Sequence, residues 1–324
     1  MPSISIEPAD RFDLDEYVRL QVAAYREHLE KYRLGTDFMS SDLFAWKYSA
    51  PAGVGKLAVA RSERTLLAAV AVLPLWVGTD RQRVILWRAV DIATHPAARG
   101  EGLFTKLLAA LREDLAPDEI LGSFPNANST PGFKKIGGRD AAYAPTWVHL
   151  VLPSLRSARA GTELRDFSVC RSETLHRLMV LPDRSSFLRD RDYLDWRYVK
   201  HPDHSYHKHF VDDGCSDSGL IVFRETETYG RRMLLVLEWW ASSARCASGL
   251  LAAATDYCRQ NHLRCIVTVS NTLGAWQALR SRFVPIPRFA VPKEQVLRGV
   301  TRGEVADRLF TDKWAIQMGD LLEF

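Results

Sequence analysis

The chain has 324 residues, of which 47% are hydrophobic and 25% are charged, and its formal net charge is +4. This composition is typical of a folded globular protein and excludes disorder or a collagen-like repeat as the main state. The small and dispersed charge gives no support to nucleic-acid binding, whereas it agrees with a small anionic ligand.

Membrane, secretory and metal-binding classes are also disfavoured. The longest apolar run, at residues 66–77, contains Pro74 and is shorter than the roughly 20 residues that a spanning helix needs. The N-terminal residues show neither the basic nor the apolar stretch of a signal peptide. Five cysteines without a CxxC pair argue against a disulfide framework or a zinc site. We therefore expect a cytoplasmic protein with no membrane span, no nucleic-acid partner and no metal.

Helix and strand patterns alternate along the first half of the chain. Asp13 and Glu16 form a capping-box pattern ahead of apolar residues at helical spacing, and Gly35 is the predicted end of that helix. Apolar or alternating runs predict strands at residues 3–7, 56–61, 66–77, 84–93, 120–124 and 147–152. Leucines at helical spacing predict an amphipathic helix over residues 103–111. Together these elements predict an α/β (α+β) fold with mixed, mostly antiparallel sheets flanked by helices.

A linker is predicted near the middle of the chain. Residues 151–165 contain Pro153, Gly161, serines and several arginines that interrupt the periodic pattern. Such a segment predicts two domains of ordinary size, residues 1–155 and residues 156–324.

The two halves resemble each other in sequence. Matched residues lie 150, 147 or 143 positions apart, and they are Trp46 with Trp196, Asp91 with Glu238, Gly102 with Gly249, Asn128 with Asn271 and Phe133 with Trp276. The separation drifts in one direction, as expected for two copies that differ by small deletions. Both matched tryptophans of the first pair are interpreted as packing residues, with a wall of an acceptor pocket as the alternative.

The stretch that suggests a chemical function follows the strand predicted at residues 84–93. That strand leads through His95 into a glycine-bearing turn at residues 99–102, and a helix follows. Gly100 and Gly102 let the backbone approach a ligand closely, and the positive N-terminal end of the helix favours a phosphate or pyrophosphate. Arg99 can add a charge-assisted contact to the same anion. The chain has neither GxxxxGK(S/T) nor GxGxxG, which excludes the P-loop and dinucleotide patterns.

At this turn the chain resembles the GNAT (GCN5-related N-acetyltransferase) superfamily of acyl-CoA N-acyltransferases. The superfamily motif is Arg/Gln-x-x-Gly-x-Gly/Ala at a helix start, and Arg99 and Gly102 match its first and fourth positions. Phe104 departs at the sixth position, where a bulky residue is expected to narrow or tilt the pyrophosphate cradle. Together with the internal repeat, the resemblance implies two tandem GNAT-like domains, the second a degenerate copy.

A second element of the superfamily is matched downstream. Asn128 and Phe133 resemble a stretch in which an Asn contacts the cofactor and a Tyr often protonates the leaving thiolate. Phe133 stands at the Tyr position, so the usual acid is missing or lies elsewhere. Tyr48 and Tyr143 are the nearest tyrosines to these elements, and for each a structural role is the alternative to that of the acid.

The resemblance implies transfer of an acyl group from acyl-CoA, with acetyl-CoA as the expected cosubstrate, to the amine of a small molecule. It assigns these residues to cofactor binding: Ile92, Ala93, Thr94, Arg99, Gly100, Glu101, Gly102, Leu103, Phe104, Asn128 and Phe133. The reaction needs a base that removes a proton from the amine and a donor that stabilises the thioester oxyanion. Alternation along the strand places Asp91 and His95 on one face, so both are candidate catalytic residues. For His95 a turn-forming role is the alternative.

The second half has lost the motif, because Arg99 aligns with Cys246 and only Gly249 is retained, at the predicted start of a helix. This half is expected to bind no cofactor and to form a wall of the acceptor site. Similarity to bacterial tandem proteins of polysaccharide and cell-surface pathways favours an amino sugar as the acceptor. An amino acid, a polyamine, an aminoglycoside or a protein N-terminus stays open, as does a homodimer.

Two other functions fit the same residues. A long-chain acyltransferase would use acyl-CoA or acyl carrier protein, in keeping with the bulky Phe104 and the apolar second half. A non-catalytic acyl-CoA-binding scaffold would explain Phe133 at the position of the acid. In some tandem members of the superfamily a terminal carboxylate reaches the active site, which is a further option for this chain.

Overall fold

A computed structural model describes residues 2–32, 36, 39–151, 161–212, 217–228, 231–272, 283–285 and 295–321. These residues form two large, mixed, mostly antiparallel sheets flanked by helices, which confirms the predicted fold class. The first-half helices are α1 (Leu14–Tyr32), α2 (Ser41–Tyr48), α3 (Leu103–Glu113) and α4 (Thr130–Lys135). The first-half strands are β1 (Ser3–Pro8), β2 (Ser49–Ala50), β3 (Gly53–Val54), β4 (Lys56–Ser62), β5 (Thr65–Gly78), β6 (Arg83–Thr94), β7 (Glu119–Ser123), β8 (Arg139–Tyr143) and β9 (Thr146–Leu150).

The second half continues the same alternation. Its helices are α5 (Ser172–Met179), α6 (Arg191–Tyr198), α7 (Ala244–Gln260), α8 (Glu304–Thr311) and α9 (Met318–Leu321). Its strands are β10 (Thr162–Glu163), β11 (Ser185–Phe187), β12 (His207–Asp212), β13 (Ser218–Thr228), β14 (Arg231–Ala241), β15 (Cys265–Val269), β16 (Val284–Pro285), β17 (Val296–Arg302) and β18 (Trp314–Ala315). The predicted strands of the first half and the helix α3 are therefore present with bounds close to those expected.

Helix α1 begins as its capping pattern predicts. The Asp13 carboxylate accepts the N–H groups of Asp15 and Glu16 at 3.0 and 3.1 Å. The Glu16 side chain does not return to the cap but pairs with Arg61 of β4 at 2.7 Å, which ties the helix to the sheet. Gly35, the predicted end of this helix, lies outside the described residues.

The two sheets exchange strands. The first sheet has the order β1-β4-β5-β6-β7-β17-β8, with β11 on β5 and β18 on β11, and the second has the order β10-β12-β13-β14-β15-β9-β16. Thus β17, from late in the chain, lies between β7 and β8, and β9, from the first half, lies between β15 and β16. The predicted boundary between residues 155 and 156 lies outside the described residues and stays a prediction.

The internal repeat is visible in the structure. Helix α6 repeats α2 with both ends shifted by 150 residues. The two helices meet at Trp46 and Trp196, whose indole N–H groups each donate to the other's backbone carbonyl at 3.2 and 3.1 Å. The two rings stack with centroids 5.1 Å apart. A reciprocal contact of this kind is what a local two-fold relation between the copies produces, and it supports the packing interpretation of both tryptophans.

Candidate active site

Strands β6 and β7 begin side by side and then separate. They run parallel and are paired at Leu86–Ile120, Trp87–Leu121 and Arg88–Gly122. Beyond Arg88, β6 continues for six residues, about 20 Å, without this partner. The gap opens into a cleft of about 730 Å³. Its lining residues are Ala24, Tyr25, Glu27, His28, Asp91, Ile92, Thr94, Arg99, Phe104, Ser123, Phe124, Pro125, Asn126, Asn128, Ser129 and Leu321.

A β-bulge at Asp91 bends β6 inside this cleft. Asp91 has φ +47°, which is rare for a residue with a side chain, and the register against β5 shifts at the same place. Its carbonyl accepts hydrogen bonds from the Tyr17 hydroxyl and from Gln21 Nε2 on α1. The Tyr25 hydroxyl donates to the next carbonyl, that of Ile92, at 2.8 Å. Helix α1 therefore supplies the donors that hold the strained backbone in place.

The Asp91 carboxylate is bound by two donors on α2. Lys47 Nζ lies 3.0 and 2.9 Å from its two oxygens, and the Tyr48 hydroxyl donates to it at 2.9 Å. The Lys47 side chain is 3% exposed and that of Asp91 is 13% exposed, so the pair is largely removed from water. Burial, followed by the nearby Asp91 charge, raises the pKa of Tyr48 well above its usual range, so its proton stays in place for this bond. These contacts connect Asp91 to the fold and support a structural role for Tyr48.

His95 lies just beyond the strand, at the turn. Its Nδ1 accepts the N–H of Ala97 at 3.3 Å and so caps the single 3₁₀ turn at Pro96–Ala98. Its own N–H donates to the Leu67 carbonyl at 2.7 Å. His95 is not among the residues that line the cleft, so the geometry favours the turn-forming role, and a catalytic role stays a prediction without support from position.

The glycine turn leaves open space at the start of α3. Gly100 and Gly102 have φ +89° and +70°, and a Cβ added at either would meet no atom within 4 Å. Gly102 is the N-cap of α3, with no side-chain cap and no acidic residue in the first turn. The first N–H groups of a helix have no partner within it, and they favour an anion. The turn therefore leaves open space beside the first N–H groups of α3, next to the cleft, although neither glycine is among the residues that line it.

Arg99 connects this turn to α1. Its Nη2 donates to the Ala24 carbonyl at 2.7 Å, and its Nη1 lies 3.9 Å from the Glu27 carboxylate. The side chain is 47% exposed and lines the cleft, so it can reach an anion at the end of α3. Glu101 is exposed and does not line the cleft, and Leu103 is buried in the core beneath the helix.

Phe104 fits the site because Gly132 lies opposite it. A Cβ added at Gly132 in α4 would overlap the ring of Phe104. Phe104 also meets Phe133 edge to face, with centroids 6.4 Å apart. Phe104 lines the cleft, whereas Phe133 is fully buried and does not. The bulky residue at the sixth motif position thus occupies space that a glycine on the neighbouring helix leaves free.

The other assigned residues divide between the cleft and the core. Ile92 and Thr94 line the cleft, whereas Ala93, between them, is buried and does not. Asn128 lines the cleft, and its N–H donates to the Asn126 side chain at 3.0 Å in the turn before α4. Ala93 and Phe133 thus contribute packing beneath the cleft, and a direct contact of either with a cofactor stays a prediction.

In the second half, a longer helix stands at the position that aligns with this glycine turn. Helix α7 begins at Ala244, so Gly249 lies inside it, and the expectation that Gly249 begins this helix is wrong. Ser243 caps α7 instead, since its hydroxyl accepts the N–H of Cys246 at 3.1 Å. Cys246, which aligns with Arg99, is buried. The extended and capped helix leaves no open cradle, in keeping with a degenerate copy.

Sequence reasoning missed several lining residues. Tyr25 belongs to the apolar pattern of α1 and His28 is an exposed residue of the same helix, so nothing local marks either as a cleft residue. Ser123 ends β7, and its hydroxyl donates to the Ala89 carbonyl at 2.8 Å where the two strands separate. Leu321 arrives from the far end of the chain, and only the tertiary fold places it in the cleft.

Among the residues that the structure describes, no three His, Cys, Asp or Glu side chains lie close enough together to hold a metal ion. No helix in the described part of the chain combines the length and the apolar character needed to cross a membrane.

Comparison with known proteins finds similarity only in structure. No protein-family model matches the chain, and no curated protein matches it in sequence. A GCN5-related N-acetyltransferase from Anabaena variabilis has a TM-score of 0.65 at 14% identity, over 92% of this chain and 72% of the other. A probable N-acyltransferase from Enterococcus faecalis has a TM-score of 0.63 at 13% identity, over 96% and 74% of the two chains. A putative acetyltransferase from Pyrococcus horikoshii has a TM-score of 0.54 at 12% identity, over 97% and 94%. The chain therefore has the fold of the GCN5-related N-acetyltransferases, in a tandem arrangement of two related halves.

Proposed function

We propose that the protein is an acyl-CoA-dependent N-acyltransferase that transfers an acetyl group from acetyl-CoA to the primary amine of a small molecule. The observation that carries this proposal is the cleft between β6 and β7, which runs from the separating strands to the open N-terminus of α3. Solved structures with the same fold include one described as a probable N-acyltransferase, and that similarity raises the expectation of acyl transfer.

The residues in and beside the cleft fit the parts of a CoA thioester. The turn at Gly100 and Gly102, with Arg99, suits the pyrophosphate. The stretch of β6 beyond Arg88, which β7 leaves unpaired and which includes Ile92 and Thr94, suits the amide-bearing pantetheine arm. The thioester supplies an activated acyl group, and attack by the amine nitrogen on its carbonyl carbon forms the amide as the carbon–sulfur bond breaks. The proton that the nitrogen loses balances the charge of the departing CoA thiolate, so that the products are the amide and free CoA. A backbone N–H near the bulge at Asp91 is the proposed donor to the oxyanion.

The hydrogen bonds of Asp91 favour a positioning role for this residue over that of the base. Its carboxylate is held by Lys47 and Tyr48, and its carbonyl is held by α1, so the residue keeps the bulge in place. No tyrosine acid is required at Phe133, because a thiolate is a good leaving group near neutral pH, where an ordinary thiol has a pKa of about 8.5. A buried Phe133 is therefore compatible with turnover.

A non-catalytic acyl-CoA-binding protein is the second candidate. It is favoured by the contacts that engage the Asp91 carboxylate and by the position of His95 outside the cleft. Turnover with any member of an amine panel, with amino sugars first, would decide for the enzyme. The amino sugar, the homodimer and the cytoplasmic location stay predictions.

Isothermal titration with acetyl-CoA tests the shared first step. We expect wild-type protein to bind in the micromolar range and Arg99→Ala to bind at least tenfold more weakly, because a charge-assisted contact to the pyrophosphate is lost. Arg232→Ala is the matched control, since its side chain is 53% exposed and also faces a carboxylate, that of Glu225. Absence of acetyl-CoA binding by the wild type would refute both the proposed acetyltransferase and the non-catalytic acyl-CoA-binding protein.

A further inference from the structure

The second sheet contains a second gap between separating strands. Strands β14 and β15 are parallel and are paired at Leu234–Ile266, Leu235–Val267 and Val236–Thr268. As in the first sheet, β14 then continues without β15 as far as Ala241, while it stays paired with β13. The Thr268 hydroxyl donates to the Val236 carbonyl at 2.9 Å, just as Ser123 donates to Ala89 in the first sheet. The repeat thus reproduces the geometry that opens the cleft of the first half.

The chain itself fills this second gap. Gln317 Nε2 donates to the Trp239 carbonyl on β14 at 3.3 Å, and Gln317 forms an antiparallel bridge with Ser270, just after β15. The N–H of Ile316 donates to the Asn271 side chain at 2.8 Å. Ile316 and Gln317 are fully buried. The segment therefore bridges both sides of the gap, in the place where the first half has an open cleft.

Helix α9 packs tightly against the residues that surround this gap. A Cβ added at Gly319 would collide with the Tyr198 hydroxyl and the Glu238 carboxylate. Asp320 forms an ion pair with Arg189, which also lies 2.8 Å from Glu238. The side chains of both ion pairs are fully buried. This packing leaves little freedom in the position of the residue that follows Asp320.

That residue, Leu321, lines the first cleft. Its carbonyl accepts a hydrogen bond at 3.1 Å from Nη2 of the buried Arg88. Arg88 is the last residue of β6 paired with β7, so it marks the point at which the cleft begins. The Arg88 guanidinium also lies 5.7 Å from the ring centre of Phe124, another lining residue. Arg99 and the start of α3 follow Thr94, at the other end of the stretch of β6 that begins at Arg88.

We propose that Leu321 limits the length of the acyl group, and that the second half holds Leu321 in place through the segment that fills its own gap. The inference rests on the proposed function, because it takes the pyrophosphate to lie at Arg99 and the start of α3. A thioester laid along β6 from that end directs its acyl group toward Arg88 and Leu321. The size of the side chain at position 321 then decides how many methylene groups fit.

Titration with a series of thioesters tests the proposal without knowledge of the acceptor. The ligands are free CoA, acetyl-CoA, butyryl-CoA and hexanoyl-CoA, and the proteins are the wild type, Leu321→Ala and Leu181→Ala. Leu181 is a matched control, because it also packs in part against the same core cluster and does not line the cleft. We expect the wild type to prefer acetyl-CoA and Leu321→Ala to raise the affinity for hexanoyl-CoA relative to acetyl-CoA about tenfold, since two or so methylene groups gain apolar contact.

A larger side chain gives an independent arm. Leu321→Phe is expected to weaken butyryl-CoA relative to free CoA by about tenfold and to leave free CoA unchanged, because overpacking affects only the acyl end. CoA binding with the same chain-length profile in both variants would overturn this inference and leave the proposed function standing. Failure of the wild type to bind any of the four ligands would overturn the proposed function and this inference with it.

Discussion

Substitution of Lys47 measures how much the buried ion pair beside the cleft contributes to the stability of the fold. Its Nζ lies 3.0 and 2.9 Å from the two oxygens of Asp91, and its side chain is 3% exposed. Lys47→Met keeps the apolar stem and removes the charge. The Asp91 carboxylate then stays buried without its cation, which is far less favourable than an exposed carboxylate in water.

The size of the loss follows from burial rather than from distance. Removal of one partner of a buried pair costs about 3–5 kcal/mol, because the remaining charge is uncompensated. At about 2 °C per kcal/mol for a chain of this size, the melting temperature is expected to fall by about 6–10 °C. Lys56 and Asp114 are equally close, at 2.8 Å, but their side chains are 31% and 41% exposed. An exposed pair contributes about 0–1 kcal/mol, so Lys56→Met is the matched control.

Thermal unfolding at pH 7 separates these effects. The melting temperature is measured by circular dichroism and calorimetry for four proteins, namely the wild type, Lys47→Met, Lys56→Met and the double variant Lys47→Met with Asp91→Asn. The double variant is expected to recover part of the loss, since it no longer buries an unpaired charge. A melting temperature of Lys47→Met no lower than that of Lys56→Met would refute the argument that burial makes this pair structural.

Two further predictions concern packing and pH. Gly132→Ala is expected to destabilise the protein by about 1–3 kcal/mol, because its methyl group overlaps the Phe104 ring, and Phe104→Ala in the same chain is expected to relieve the overlap. Urea unfolding of the two single variants and of the double variant measures the coupling free energy. If the two losses of stability simply add, the overlap is contradicted. Burial, opposed by Arg189, raises the pKa of Asp320 to about 6. An acid with a raised pKa in the folded state stabilises the fold when protonated, so this contribution is present below pH 4 and is lost as the pH rises to about 6. The stability of the wild type relative to Asp320→Asn is therefore expected to fall by up to about 3 kcal/mol between pH 4 and pH 6, and a constant difference over that range would contradict the assignment.

Local sequence patterns predicted the part of the site that lies on one continuous stretch. The strand β6, the glycine turn and α3 follow each other within 31 residues, so alternation, the two glycines and the leucine spacing all report on them directly. The repeat was visible for a similar reason, since α2 and α6 carry the same capping and tryptophan pattern. The fold class and the place of the open helix end could therefore be predicted from the sequence.

Other parts of the site were fixed only by contacts between distant segments. Asp91 was recognised as a carboxylate in an apolar strand, but its partners Lys47 and Tyr48 lie more than 40 residues earlier. Gly249 matched a motif glycine, and yet Ser243, six positions earlier, caps the helix, so that Gly249 lies inside it. Residue type alone could not distinguish a base from a buried ion pair, because that choice depends on which charges the fold brings together.

The sequence by itself therefore predicted the long strands and helices α1 and α3 of the first half, the duplicated architecture and the glycine turn before α3, because each is marked by residues a few positions apart. The tertiary structure alone decided the exchange of β9 and β17 between sheets, the partners of Asp91 and the arrival of Leu321 in the cleft. Arg88 and Leu321 are 233 residues apart in the chain, and no periodic pattern connects residues at such a separation. Only the packing of the two halves brings them within hydrogen-bond distance.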